Sequence, residues 1–190
     1  MKQAKTLTVK EFKRVLAVAK AGRHAERNAL ALCLSYYAGL RVKEIASLTV
    51  GDVYDTSGNV KEIVTLSASQ TKGSKGRVVI VSKKLAIVLA DYSKAQNKLL
   101  GQAYRPLLRS QKGAAFSGNS LCQVFSKLYA QAAIDGASSH SGRRTFITNL
   151  AHKGVSAKVL MTLAGHQHMS TTQRYIDVND AMLKAAVELV

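Results

Sequence analysis

Four side chains suited to holding a phosphodiester and attacking it, His140, Arg143, His166 and Tyr175, fall within the stretch from Ser138 to Val178. A guanidinium offers forked hydrogen bonds to the non-bridging oxygens of a phosphate, a geometry that lysine does not reproduce. Histidine, with a pKa near working pH, accepts or donates a proton. Tyrosine, with a reference pKa of about 10, becomes a nucleophile once its proton is removed or its phenolate is stabilised by nearby cations. His140 and Arg143 stand three apart and would share a face at the start of a helix. Backbone donors at that helix end add a further preference for an anion.

The elements that must position these groups are legible around them. Ser141 is placed to cap a helix running to about Lys153, Ser156 a second to about Ala164, and either Ser170 or Thr171 a third carrying Tyr175. Gly154 and Gly165 fall where the first two should stop. Upstream, Thr8-Val9-Lys10-Glu11 forms a capping box before a helix to about Lys20. The run from Ala25 to Ala38 is apolar on most faces, as a central core helix would be, and Gly39 ends it. Arg41 follows that stop, and a short helix from Val42 to Ser47 places Glu44 one turn on.

Between Asp52 and Val81 the pattern changes to β-prone runs: Val53-Tyr54, Ile63 to Leu66, and Val78 to Val81. These predict a three-stranded antiparallel sheet whose second turn carries Lys72, Lys75 and Arg77. Ser82 is placed to cap a long helix through Leu100, and Ser117 to Ser120 to open another after a loop containing Pro106. From about Asn179 the tail reads as an amphipathic helix. The expected class is α+β, mostly α-helical.

The motifs, taken together, resemble the tyrosine recombinases, or phage integrases. The resemblance rests on His-x-x-Arg (His140, Arg143), Ala-Gly-His (Ala164 to His166) and Thr-Thr-Gln-Arg-Tyr (Thr171 to Tyr175), in that order. Gly39-Leu40-Arg41-Val42-Lys43-Glu44-Ile45 is similar to the segment carrying the family's first active-site arginine, and Thr71 to Arg77 to the turn carrying its lysine. It covers about Leu7 to Val178 and implies an integrase-like catalytic domain over residues 1–190 that breaks and rejoins DNA through a 3′-phosphotyrosyl ester, with no cofactor, metal or ATP. Arg41 and Arg143 would clamp the phosphate, His140 would handle the tyrosine proton, and His166 would donate to the phosphate. Lys72, with Lys75 as runner-up, would protonate the departing 5′-oxygen, and Glu44 would support Arg41. Lys43, Lys75, Arg77, Arg144 and Arg174 are expected to touch the backbone of double-stranded DNA, on which the protein would associate with copies of itself, from dimer to tetramer. The tail would either fold back or pack into a neighbouring subunit.

Two features depart from the family pattern. Gly142 stands where the family usually has a leucine, so looser packing is expected behind Arg143. The family's N-terminal core-binding domain has no counterpart, as in an excised catalytic fragment or in a short member similar to the invertases that switch fimbrial promoters.

Composition narrows the alternatives. Lys and Arg number 28 against 11 acidic residues, a formal charge of +17 that calls for a polyanionic partner, with nucleic acid ahead of membrane. No apolar run reaches about 18 residues, and the start lacks a secretory core. Cys33 and Cys122 read as small core residues in a reducing cytoplasm, where the protein would be nucleoid-associated. His166 and His168 have no carboxylate or cysteine cluster beside them to complete a metal site. An RNA-binding module fits poorly with 6% aromatics and no Trp. A type IB topoisomerase-like activity and a non-catalytic DNA-binding regulator remain the alternatives to recombination.

Overall fold

The computed structural model describes residues 3–71, 75–96, 102–176 and 180–188. Thr8 opens α1 (Val9–Ala21) by a reciprocal cap, accepting from the Glu11 N–H while the Glu11 carboxylate accepts from its own N–H. α2 (Ala25–Ala38) is the hub: Ala29 to Ser35 are buried without a break, as a helix apolar on most faces requires. Around it pack α1, α5 (Lys83–Ala95) and α7 (Ser141–His152). α6 (Gly118–Gln131), opened by Ser117, seals α1 and α3 (Val42–Ser47) with Leu121, Phe125 and Leu128. The helix expected to reach Leu100 is seen as α5, and residues 97–101 lie outside the described set. Among the described residues, no helix is long and apolar enough to cross a membrane.

The sheet has two antiparallel strands among the described residues, not three: β1 (Ile63–Leu66) pairs with β2 (Arg77–Ile80) in the register Ile63↔Ile80 to Leu66↔Arg77. Val53 belongs instead to a helical turn, α4 (Val50–Val53), and Tyr54 makes only an isolated bridge to Val60. Local capping overrode β propensity here. Thr49 Oγ1 accepts from Asp52 N and the Asp52 carboxylate accepts from Thr49 N, which starts the helical turn, while Asp55 closes the following turn on Ser57 and Asn59.

After α7 come α8 (Ala157–Ala164), α9 (Met169–Gln173) and α10 (Asp180–Val187). Ser156 caps α8 as expected, but Ser141 does not cap α7: His140 holds the cap position, and Ser141 Oγ accepts from Ser138 N to brace the turn before it. α9 starts after His168 with no side-chain cap, and Tyr175 sits in the turn beyond its end rather than on it.

Packing behind Arg143 is tight, which overturns the expectation drawn from Gly142. A Cβ there would lie 2.6 Å from Ser35 Oγ and 3.0 Å from Ser35 Cβ, so the missing side chain is what lets α7 approach α2. Gly142→Leu is therefore expected to cost about 1–3 kcal/mol or more through overpacking, read as a lower urea midpoint.

Candidate active site

Three guanidiniums converge on the C-terminal end of α8. Arg77 Nη1 donates to Leu163 O (3.0 Å), Arg143 Nη2 to Ala164 O (2.6 Å), and Arg41 Nη2 to Gly165 O (3.1 Å). Arg143 also donates through Nη1 to Gly39 O at 2.6 Å. Helix C-termini carry partial negative charge and orphan carbonyls, so they favour nearby cations. Both carbonyls from helix-ending glycines come from left-handed residues, Gly39 with φ 62° and Gly165 with φ 61°. A side chain at either would also collide, with Phe146 at Gly39 and with Arg77 at Gly165. The two helix stops seen in the sequence are thus also the cradle of Arg41 and Arg143.

Glu44 is the carboxylate partner of this cluster and is only 1% exposed. It accepts from Arg41 N (2.7 Å), Arg41 Nη1 (2.8 Å), Arg77 Nε (3.1 Å) and Arg77 Nη2 (2.8 Å). Burial opposes its ionisation, but the hydrogen bonds and charges of Arg77 and Arg41 outweigh that and hold the carboxyl below its usual range. Three guanidiniums against one carboxylate leave a positive surplus around Arg143. Burial, then the neighbouring Arg41 and Arg77, lower the proton affinity of Arg143, yet it stays cationic at neutral pH.

Arg77, expected among the cations that touch DNA, is instead 8% exposed in its side chain and occupied by Glu44 and Leu163 O. Lys43, Lys75 and Arg174 are exposed, Lys43 beside the start of α6. Lys72 lies outside the described residues.

His166 is buried, and its Nδ1 lies 3.0 Å from the Oγ1 of fully buried Thr172. In the tautomer in which Thr172 donates to Nδ1, the imidazole carries its proton on Nε2. Burial, then Arg143, Arg41 and Arg77, push its pKa down from 6.5 to about 4, so it is neutral at working pH. The unfolded chain binds that proton near 6.5 and the folded one near 4. Between those values the unfolded state therefore holds more protons, and stability falls as pH drops from 6.5 towards 4. Allowing for solvent in the open cleft, the loss is roughly 1–2 kcal/mol. Urea unfolding at pH 7 and pH 4.5 should show it in the wild type and less of it in His166→Gln.

The Tyr175 ring lies 5.7 Å from that of His166 and 5.5 Å from the Arg144 guanidinium carbon, and Arg144 Nε donates to Thr6 Oγ1. Tyr175, Arg143, Arg144 and exposed His140 line one cleft of about 580 Å³. His140, Arg143 and Tyr175 thus share one opening, while Arg41 holds the carbonyl next to the one held by Arg143 and the His166 ring lies against Tyr175. Among the described residues, no group of three His, Cys, Asp or Glu gathers as metal ligands would. Sequence reasoning gave no role to Thr172, although it lies in the quoted Thr-Thr-Gln-Arg-Tyr run, and its position three residues before Tyr175 was the available signal. Nothing local pointed to Arg77 as the second partner of Glu44.

Residues 5–182 match the Phage integrase family. Tyrosine recombinase XerA of Pyrococcus horikoshii is 30% identical over 184 residues, which are 97% of this chain and 60% of that protein. Tyrosine recombinase XerD of Neisseria meningitidis serogroup A is 30% identical over 185 residues, 96% of this chain and 61% of that one. The crystal structure of XerA recombinase shares the fold, with a TM-score of 0.75 at 23% identity over 100% of this chain and 64% of that chain. The chain spans about three fifths of the length of the curated relatives it matches.

Proposed function

The chain belongs to the phage integrase family, and we propose that it forms the catalytic domain of a site-specific recombinase that cuts and reseals double-stranded DNA through Tyr175. The observation that carries this reading is that Arg143 and Tyr175, from distant parts of the chain, line one cationic cleft, with Arg41 on the carbonyl next to the one Arg143 holds and the His166 ring against Tyr175.

Tyr175 Oη attacks the phosphorus, its proton passing to His140 as the new P–O bond forms. The bond from phosphorus to the 5′-oxygen breaks, and Lys72 supplies the proton that makes it a hydroxyl. Arg41 and Arg143 hold the non-bridging oxygens, where charge accumulates in the pentavalent transition state, and His166 Nε2 donates to the same phosphate. The phosphotyrosyl ester conserves the energy of the broken bond, so a 5′-hydroxyl from another strand reverses the step without ATP or metal. Lys43, Lys75, Arg144 and Arg174 supply phosphate contacts around the cleft, with affinity falling steeply as salt rises. Exposed Leu183 and Val187 on α10 support docking of the tail on a neighbouring copy, in dimers to tetramers on DNA at the nucleoid.

The test is to incubate excess protein at low salt with supercoiled plasmid in EDTA without ATP, and to quench with SDS. Relaxed topoisomers and nicked DNA covalently joined to protein are expected. Cleavage that requires added Mg²⁺ and leaves DNA free of protein would overturn the reading.

A further inference from the structure

A second cationic cavity, of about 370 Å³, lies at the other end of the central helix. Arg23 and Arg27 reach it from the turn before α2 and its first turn, and Arg105 and Arg109 from the segment after α5. α2 has 14 residues, so its N-terminal end is roughly 20 Å from the Gly39 end that meets the catalytic arginines. The cleft and this cavity are therefore separate places on the molecule.

Two of the cavity's cations, Arg27 and Arg109, are set in place by neutral groups. Arg27 donates through Nε and Nη2 to Asn28 Oδ1 and through Nη1 to the backbone oxygen of Arg109, and it lies 4.9 Å over the Phe116 ring. Arg109 Nε donates to Gly113 O at 2.6 Å, and the turn closes so tightly on it that a Cβ at Gly113 would fall 2.9 Å from Nη2. Arg23, Arg27 and Arg109 make no ion pair among the described residues. Among the described residues the wall holds one carboxylate, Glu26, and it makes none either. Among the described residues Arg23, Arg27 and Arg109 thus face one carboxylate, with the positive end of α2 behind them and no side chain capping it. Burial, then Arg27 and Arg23, also lower the pKa of His24 in the same wall. Holding like charges together in a concave site costs stability unless an anion completes it, and guanidiniums held by neutral acceptors suit an oxyanion with several oxygens.

We infer that this cavity is a second phosphate-binding site, for a phosphoryl group carried either by DNA outside the catalytic cleft or by a free phosphorylated molecule. Inorganic pyrophosphate is the probe, followed by ¹⁵N NMR at low salt. The amides of Arg23 to Arg27 and Gln111 to Gly113 should shift and saturate. The double variant Arg23→Gln/Arg109→Gln, which changes two exposed side chains, should weaken that response about tenfold or more. Glu26→Gln, which removes the opposing charge, should strengthen it. Amides that do not shift, or affinities that do not move in these two directions, overturn the site, whatever the plasmid assay shows. Duplex binding then identifies the source of the phosphate. A salt slope shallower in the double variant by about 0.9 per lost contact assigns it to DNA. An unchanged slope with pyrophosphate binding lost assigns it to a free phosphorylated ligand.

Discussion

Tyr175→Phe is expected to leave the protein folded and DNA-bound but unable to form any covalent adduct, with plasmid relaxation reduced on the order of 10⁴-fold or more. The substitution removes one oxygen and keeps the ring that lies against His166 and Arg144. Its effect is therefore confined to chemistry, and unchanged duplex affinity serves as the control. No neighbouring tyrosine is placed to substitute. Tyr36 and Tyr37 pack with Phe12, the Tyr36 ring stacked 3.6 Å from it, and Tyr129 is 2% exposed, its ionisation suppressed by burial. An adduct that persists in Tyr175→Phe would remove the nucleophile from the proposed mechanism. A variant that has also lost duplex binding would show that the hydroxyl helps to hold DNA.

What the sequence disclosed and what it hid divide along the range of the interactions. Thr8, Ser82, Ser117 and Ser156 cap their helices through contacts three residues away, and Gly39 and Gly165 end theirs in the left-handed conformation. Such signals are local and survive reading one residue at a time. The departure from a strand at Val53 is also local: two capping groups, Thr49 and Asp52, outweigh β propensity in a four-residue helical turn. The candidate site residues are legible because their types and order carry the chemistry. Their partners are not, since Arg77 meets Glu44 across 33 positions, Arg143 meets Gly39 across 104, and Arg41 meets Gly165 across 124. No period or cap encodes such a meeting. Gly142 shows the same limit, because a glycine read as a gap in packing proved to be a close approach whose other side, Ser35, lies in a different helix.

Glu44→Gln should produce the largest combined loss of stability and rate among substitutions outside the groups that touch the phosphate. A glutamine keeps the shape but brings an NH₂ against guanidinium donors that now point at a carboxylate, and it leaves three buried or half-buried cations without a counter-charge. Removing one partner of a buried ion pair commonly costs about 3–5 kcal/mol, against roughly 0–1 kcal/mol for an exposed pair. The carboxyl is held below its usual range in the folded state, so its contribution is present above the usual carboxylate pKa of 4.5 and fades as pH falls through the lower folded value. Glu44→Gln should erase that acid-side loss, which urea unfolding across pH 3–7 would read. The rate should drop as well, because Arg41 loses the group that fixes both its backbone N–H and its guanidinium. A misaimed clamp of this kind costs on the order of 10²–10³ in single-turnover cleavage, measured where the variant is fully folded. Arg77→Met separates the two effects. It leaves Glu44 on Arg41, so stability should fall while most of the rate is retained, and the double variant should be non-additive in stability. A folded Glu44→Gln protein that cleaves within about threefold of the wild type would reduce Glu44 to a structural ion pair, with Arg41 aimed by the α8 carbonyl alone.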